Sequence, residues 1–234
     1  MKNIQDDFRL FSTSRGINGT TIDDYMKKTP KTASYIEPYI LEERELNVVA
    51  MNVFSRLLHD NIIFLGTGID TDVANIVNSQ LMYLNSITDQ DIRLFINSGG
   101  GSITDGMAIY DVLNFVNPDI QTYCMGMCAS MAAVLLSSGT KGKRHSLPHG
   151  EIMIHQPMSG VAPGTQESDF AIAYEQLKKS KDMLYKILAD NTGKSIEEII
   201  ADADRDHWLS PEEAIPGVYG SKGLIDEIIV KAKN

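Results

Sequence analysis

The amino-acid sequence predicts an α/β fold with much parallel strand pairing, and two observations carry that expectation. Short apolar strands alternate with helical stretches between residues 62 and 156, the pattern that closes into a sheet covered by helices. The chain of 234 residues is also long enough to bury roughly 70–75% of its unfolded surface, so no disulfide or metal staple is needed. A hydrophobic share of 43% beside 22% charged residues is ordinary globular composition, not that of a disordered chain.

The elements follow in order. Residues 1 to about 34 are polar and weakly periodic and read as an arm outside the main core. Val53, Phe54, Leu57 and Leu58 have helical spacing, and Ile62–Leu65 reads as a buried strand closed by Gly66. Val73, Ile76, Val77, Leu81 and Leu84 form a helical stripe after an Asp-rich start. Residues 92–97 alternate as a strand, the run Ser98-Gly99-Gly100-Gly101-Ser102 follows, and a helix covers about 104–116. A strand is expected over 120–125, an apolar helix over 129–138 stopped by Gly139, and short strands over 143–147 and 151–156. A long helix spans 168 to about 191, Ser195 and Glu198 make a capping box for a short helix, and 224–230 reads as a closing strand.

Charge and cysteine content exclude several functions. With 31 acidic against 21 basic side chains the formal charge is −10, a poor match for a phosphate backbone, so nucleic acid is disfavoured as a partner. The two cysteines, Cys124 and Cys128, lie in an apolar stretch and read as small buried hydrophobes in a reducing compartment rather than a disulfide framework. No run of about 18 apolar residues exists to span a membrane, and the N-terminus lacks the apolar centre of a secretory signal. No metal site is expected: His145 and His149 are separated by Pro148, and suitably spaced thiolates or carboxylates are lacking.

Three places offer chemistry. The glycine run at 98–102 lies between a strand and a helix, where free N–H groups point outward and the backbone tolerates positive φ. It lacks the Gly-Lys-Ser/Thr of a phosphate loop, so an oxyanion cradle or a peptide-binding edge fits better than nucleotide binding. At Gly126–Ala132 a strand ends, the chain turns, and a helix begins at Ser130. That geometry presents a hydroxyl where the helix dipole favours developing negative charge, although a serine there is often only an N-cap. Cys128 is a weaker nucleophile candidate because its setting is apolar and lacks a cation. His155 ends a strand just before Pro157. The cluster Asp202, Asp204 and Asp206, by itself a solvated charged loop, contains a carboxylate that could orient His155. Spacing alone leaves open which of the three does so.

Taken together, Phe64-Leu65-Gly66, Ile96-Asn97-Ser98 with its glycines, Gly106–Asp111, Cys128–Ala132, Met153–Pro157 and Asp204-Arg205-Asp206 resemble the ClpP family, the proteolytic subunits of Clp proteases, over about residues 48–230. The resemblance implies a ClpP/crotonase-like ββα superhelix, a single head domain with a projecting handle helix near 168–191. It divides the chain into an N-terminal extension or propeptide (1–34), an N-terminal axial segment (35–53) and the protease domain (54–234). It implies a serine endopeptidase acting on unfolded protein, with Ser130 as nucleophile, His155 as general base and Asp206 as orienting carboxylate. The N–H groups of Gly101 and Met131 would form the oxyanion hole. It implies a cytoplasmic assembly of two stacked heptameric rings around a chamber. The chamber would be fed by a separate Clp AAA+ ATPase, ClpX-like or ClpA/ClpC-like, docking near Phe95 and Phe115. No cofactor is implied for this chain, since ATP is used by that partner. Three features depart from the family pattern: Gly99 replaces a usual proline, Arg93 replaces an aromatic or apolar residue, and the connection 215–223 is longer.

Overall fold

The computed structural model describes residues 39–44, 47–160 and 162–231, with side chains described from Asn52 onward. The expected extension or propeptide and part of the expected axial segment lie outside the described residues. The chain divides into two compact units between Val53 and Phe54. In the first, β1 (Tyr39–Arg44) and β2 (Asn47–Asn52) form an antiparallel hairpin, two strands that hydrophobic periodicity alone did not predict.

The second unit is the expected mixture of sheet and helices. After α1 (Val53–His59) come β3 (Ile62–Leu65), α2 (Thr71–Ile87), β4 (Ile92–Ser98), α3 (Ile103–Phe115) and β5 (Ile120–Ala129). Strands β3, β4 and β5 pair in parallel, as strand–helix–strand connections require. β4 buries Ile92, Leu94, Ile96 and Ser98 in strict alternation, the period-two pattern of a pleated strand with one face on the core. Asp70 caps α2 by accepting from the Val73 N–H at 2.9 Å, and Ser102 caps α3 through Asp105, each satisfying an otherwise orphaned donor.

Beyond β5 the sheet forks. The first half of β5 pairs with β6 (Arg144–Ser146) and its last residues pair with β7 (Glu151–Ile154). β7 in turn pairs antiparallel with β8 (His207–Leu209). Between β5 and β7 in sequence lies α4 (Met131–Ser137), every residue of which is buried. β5 runs four residues further than expected, so Ser130 alone separates strand from helix. The expected charged loop at 202–208 is also resolved differently, because His207–Leu209 form a strand on β7. The closing strand is short: β9 (Glu227–Ile228) pairs with β6, while Asp226 and Ile229 bond to Arg144 and Ser146 on either side.

Helix α5 (Glu167–Thr192) has two characters. Its buried residues begin only at Leu184, whereas Phe170, Ile172 and Tyr174 are more than half exposed. At 1.5 Å per residue such a helix is about 39 Å long, so its N-terminal half projects. Helix α6 (Ile196–Asp202) has the predicted capping box between Ser195 and Glu198. The long connection after Ala214 is anchored to α5 by the Lys222 N–H donating to Thr192 O and the Lys222 ammonium donating to Asp190 O. Buried Tyr219 within it takes the Lys194 ammonium over its ring.

Candidate active site

Register in the forked sheet decides which side chains meet. In the parallel β5–β7 pair Ala129 lies beside Met153, and the Ser130 N–H donates to Met153 O at 2.8 Å. In the antiparallel β7–β8 pair Ile154 faces His207. The next antiparallel position therefore sets His155 opposite Asp206. Three residues from distant parts of the chain converge by backbone pairing. His155 Nε2 lies 2.8 Å from Ser130 Oγ, and His155 Nδ1 lies 3.3 Å from Asp206 Oδ1. An acceptor facing Nδ1 favours the tautomer with its proton there, leaving Nε2 to accept from the serine.

The serine sits in a sharp elbow with φ 57° and ψ −124°, a conformation non-glycine residues seldom adopt. Its hydroxyl does not cap α4, so it is released from the bland role that sequence alone favours. The Met131 N–H is the first of the helix and has no intrahelical acceptor. Gly101 stands across the site with φ 152°, where a β-carbon would collide with the Ile69 carbonyl. It forms a parallel bridge to Ile69, held by Ile69 N–H to Gly100 O and Ser102 N–H to Ile69 O. Gly101, Ser130, Met131 and His155 line one cavity of about 90 Å³ whose remaining wall is largely apolar, from Ile103 to Leu184 and Leu188.

Several residues to which the sequence assigned no role support the site. A β-carbon on Gly100 would lie 2.8 Å from that of Ser130 and 2.9 Å from the Met131 nitrogen, so a glycine is needed beneath the elbow. Ser98 Oγ accepts from the Gly100 N–H at 3.1 Å and fixes that loop. Gln156 Nε2 donates to Asp204 O at 2.7 Å, tying the loop that carries Asp206 to the strand that carries His155. The glycine run was the available sequence signal for the first two; for the Gln156 tie the quoted motifs mark the residues but not their contact.

A family model for Clp protease matches residues 44–232. The chain belongs to the Clp protease family. It is 49% identical over 228 residues to a protein of Bacteroides fragilis named ATP-dependent Clp protease proteolytic subunit, covering 97% of this chain and 99% of that one. Proteins of the same name from Porphyromonas gingivalis and Streptococcus gordonii are 45% and 46% identical, covering 96% and 82% of this chain and 98% and 96% of theirs. Family membership agrees with the α/β architecture and the forked sheet.

The two aromatic residues expected near a docking site part company. Phe95 stacks between Phe64 and Tyr123, and Tyr123 lies against His145. Phe95, Tyr123 and His145 of this ladder, with Arg93, wall a pocket of about 560 Å³. Phe115 is 68% exposed at the end of α3 and lies outside that pocket. Among the described residues no cluster of three or more His, Cys, Asp or Glu side chains could hold a metal, and no helix is long and apolar enough to cross a membrane.

Proposed function

We propose that this chain hydrolyses peptide bonds by acyl transfer through Ser130. The observation that carries the reading is the unbroken contact from Asp206 through His155 to a strained, uncapped Ser130 hydroxyl. His155 takes the hydroxyl proton through Nε2 as Ser130 Oγ attacks the substrate carbonyl, and Asp206 stabilises the imidazolium that results. His155 then returns the proton to the departing amine. A water, activated by the same imidazole, releases the acyl group. The N–H groups of Gly101 and Met131 face the developing oxyanion, each worth about 2.7–4 kcal/mol of barrier. The apolar cavity beside Ser130 receives the side chain preceding the cleaved bond. The edge near Gly99–Gly101 and the segment around Gly160 flank the extended substrate, pairing with its backbone irrespective of sequence.

The name shared by the relatives, proteolytic subunit of an ATP-dependent protease, supports a division of labour. In this reading a separate Clp AAA+ ATPase unfolds substrates and consumes the ATP, and this chain needs no cofactor. That ATPase docks on the Phe95 pocket, with the exposed Phe115 outside it. Two stacked heptameric rings enclose the sites in the cytoplasm. The exposed apolar half of α5 supports ring-to-ring contact, because Phe170, Ile172 and Tyr174 otherwise face water.

A short fluorogenic peptide tests the chemistry without the ATPase. Wild type is expected to hydrolyse it, and Ser130→Ala to lose at least about 10⁴-fold in kcat, by analogy with other serine triads. Hydrolysis surviving in Ser130→Ala would refute the assignment.

A further inference from the structure

Strand β5 carries a dithiol that the proposed mechanism does not use. Cys124 pairs with Ile96 of β4, and Cys128 pairs with Ser98. Four steps along β5 thus correspond to only two along β4. The surplus chain, Met125–Met127, bulges outward. Gly126 takes φ 91°, and the Met127 N–H donates to Asn97 Oδ1 at 3.2 Å. Two strand steps of about 3.3 Å set the cysteine α-carbons about 6.6 Å apart, within the range of about 4.4–6.8 Å that a disulfide spans.

The sulfurs converge as well. Cys128 Sγ donates to Ile96 O at 3.6 Å, the residue opposite Cys124. Cys124 Sγ donates to Glu151 O at 3.8 Å, the residue opposite Met127. The Cys128 thiol thus turns back to the level of Cys124, and the Cys124 thiol reaches the strand beside Met127, one residue short of Cys128. Both are fully buried in the reduced chain, whereas Gly126 of the bulge between them is exposed.

We propose that Cys124 and Cys128 are an oxidisable pair whose disulfide slows turnover at Ser130, two residues further along. The effect on turnover rests on the peptidase reading above; formation of the bond does not. With a peroxide as oxidant, the Cys124 sulfur attacks one peroxide oxygen, the O–O bond breaks, and the leaving hydroxide takes the thiol proton as water. The Cys128 sulfur then attacks the resulting sulfenic sulfur, and the hydroxyl leaves with the second thiol proton as another water. Two thiols are oxidised by two electrons and one peroxide is reduced to two waters. The neighbouring Cys128 side chain holds the Cys124 thiol below its ordinary value, while burial pushes Cys128 up, which makes Cys124 the attacking sulfur. Closing the bond draws the end of β5 inward and shifts Ser130 against His155; displacements near 1 Å cost about 100-fold in rate.

The full chain is treated with hydrogen peroxide, alkylated under denaturing conditions, and read by peptide mass and by hydrolysis of the fluorogenic peptide. The expected result is an unalkylated peptide holding both cysteines, two hydrogens lighter than its dithiol form. Activity is expected to fall about 100-fold and return with dithiothreitol. Cys128→Ala, with Cys124→Ala as the second variant, is expected to keep its activity through the same treatment and so to control for methionine oxidation. Alkylation of both cysteines after peroxide, a disulfide formed with full activity retained, or equal inactivation of the variants would overturn the proposal. A reduced wild type inert towards peptide would instead count against the Ser130 reading, because the mass measurement is independent of it.

Discussion

At Ser130 the backbone sits at φ 57° and ψ −124°, and such conformations store about 1–3 kcal/mol that the surrounding structure must hold in place. Three features hold it. The Ser130 N–H is bonded to β7, Gly100 lies beneath the elbow without a side chain, and α4 begins at the next residue, buried throughout. A stored strain has a measurable sign. Ser130→Ala keeps the β-carbon and therefore the strain, whereas Ser130→Gly releases it at a cost of about 0.5–1 kcal/mol of unfolded-state entropy. The glycine variant is expected to melt above the alanine variant, by about 2–4 °C for each net kcal/mol in a chain of this size. A lower midpoint for glycine in differential scanning calorimetry would mean that the elbow is not strained. Ser130 and His155 were legible from sequence because each lies at a strand end, where side chains leave the sheet for a cleft. The choice among Asp202, Asp204 and Asp206 was not legible from spacing. It depends on the β7–β8 register, a contact across about fifty residues, and only resemblance pointed to Asp206. Asp202 is instead committed to Lys194.

Among the elements, β6 and β9 are joined by more than their short ladder. The buried Arg144 guanidinium bonds to both oxygens of Asp226, through Nε at 2.9 Å and Nη2 at 2.6 Å, and also to the carbonyls of Asn191, Lys222 and Gly223. One side chain thereby gathers β6, the end of α5 and the long connection. Burial alone would raise the Asp226 carboxyl, but its hydrogen bonds to Arg144 and the guanidinium charge outweigh this and hold it below its ordinary value. A depressed carboxyl stabilises the fold above the unfolded value, near 3.9, and loses that contribution as pH falls towards the folded value. Asp226→Asn, which leaves a buried guanidinium without its counter-charge, is expected to cost about 3–5 kcal/mol at neutral pH. Its gap in melting temperature from wild type should narrow below about pH 4. A gap constant with pH would show that the charge of Asp226 contributes nothing. The strand–helix alternation was legible because burial on one face imposes a period on the sequence. The hairpin β1–β2 and strand β8 were not. Arg44, Asn47 and the polar start of β8 give no alternating pattern, and the existence of β8 depends on β7 supplying its partner.

At the scale of the whole molecule, one forked sheet brings a serine hydroxyl, an imidazole and a carboxylate together from residues 130, 155 and 206. The same β5 that delivers Ser130 also carries the bulged dithiol and one rung of the aromatic ladder beside the 560 Å³ pocket. A helix half clothed in exposed aromatic and aliphatic side chains extends from that body. The longer connection after Ala214, a departure visible in the sequence, is anchored to α5 and leaves the Asp206–His155 contact in place. The central claim is that His155 activates the hydroxyl of Ser130. Labelling wild type and His155→Ala with a fluorophosphonate, followed by peptide mapping, tests it most directly. The account predicts one phosphonyl adduct, on Ser130 of wild type, and its loss in His155→Ala; an unlabelled Ser130 in active wild type, or equal labelling of both proteins, would contradict it.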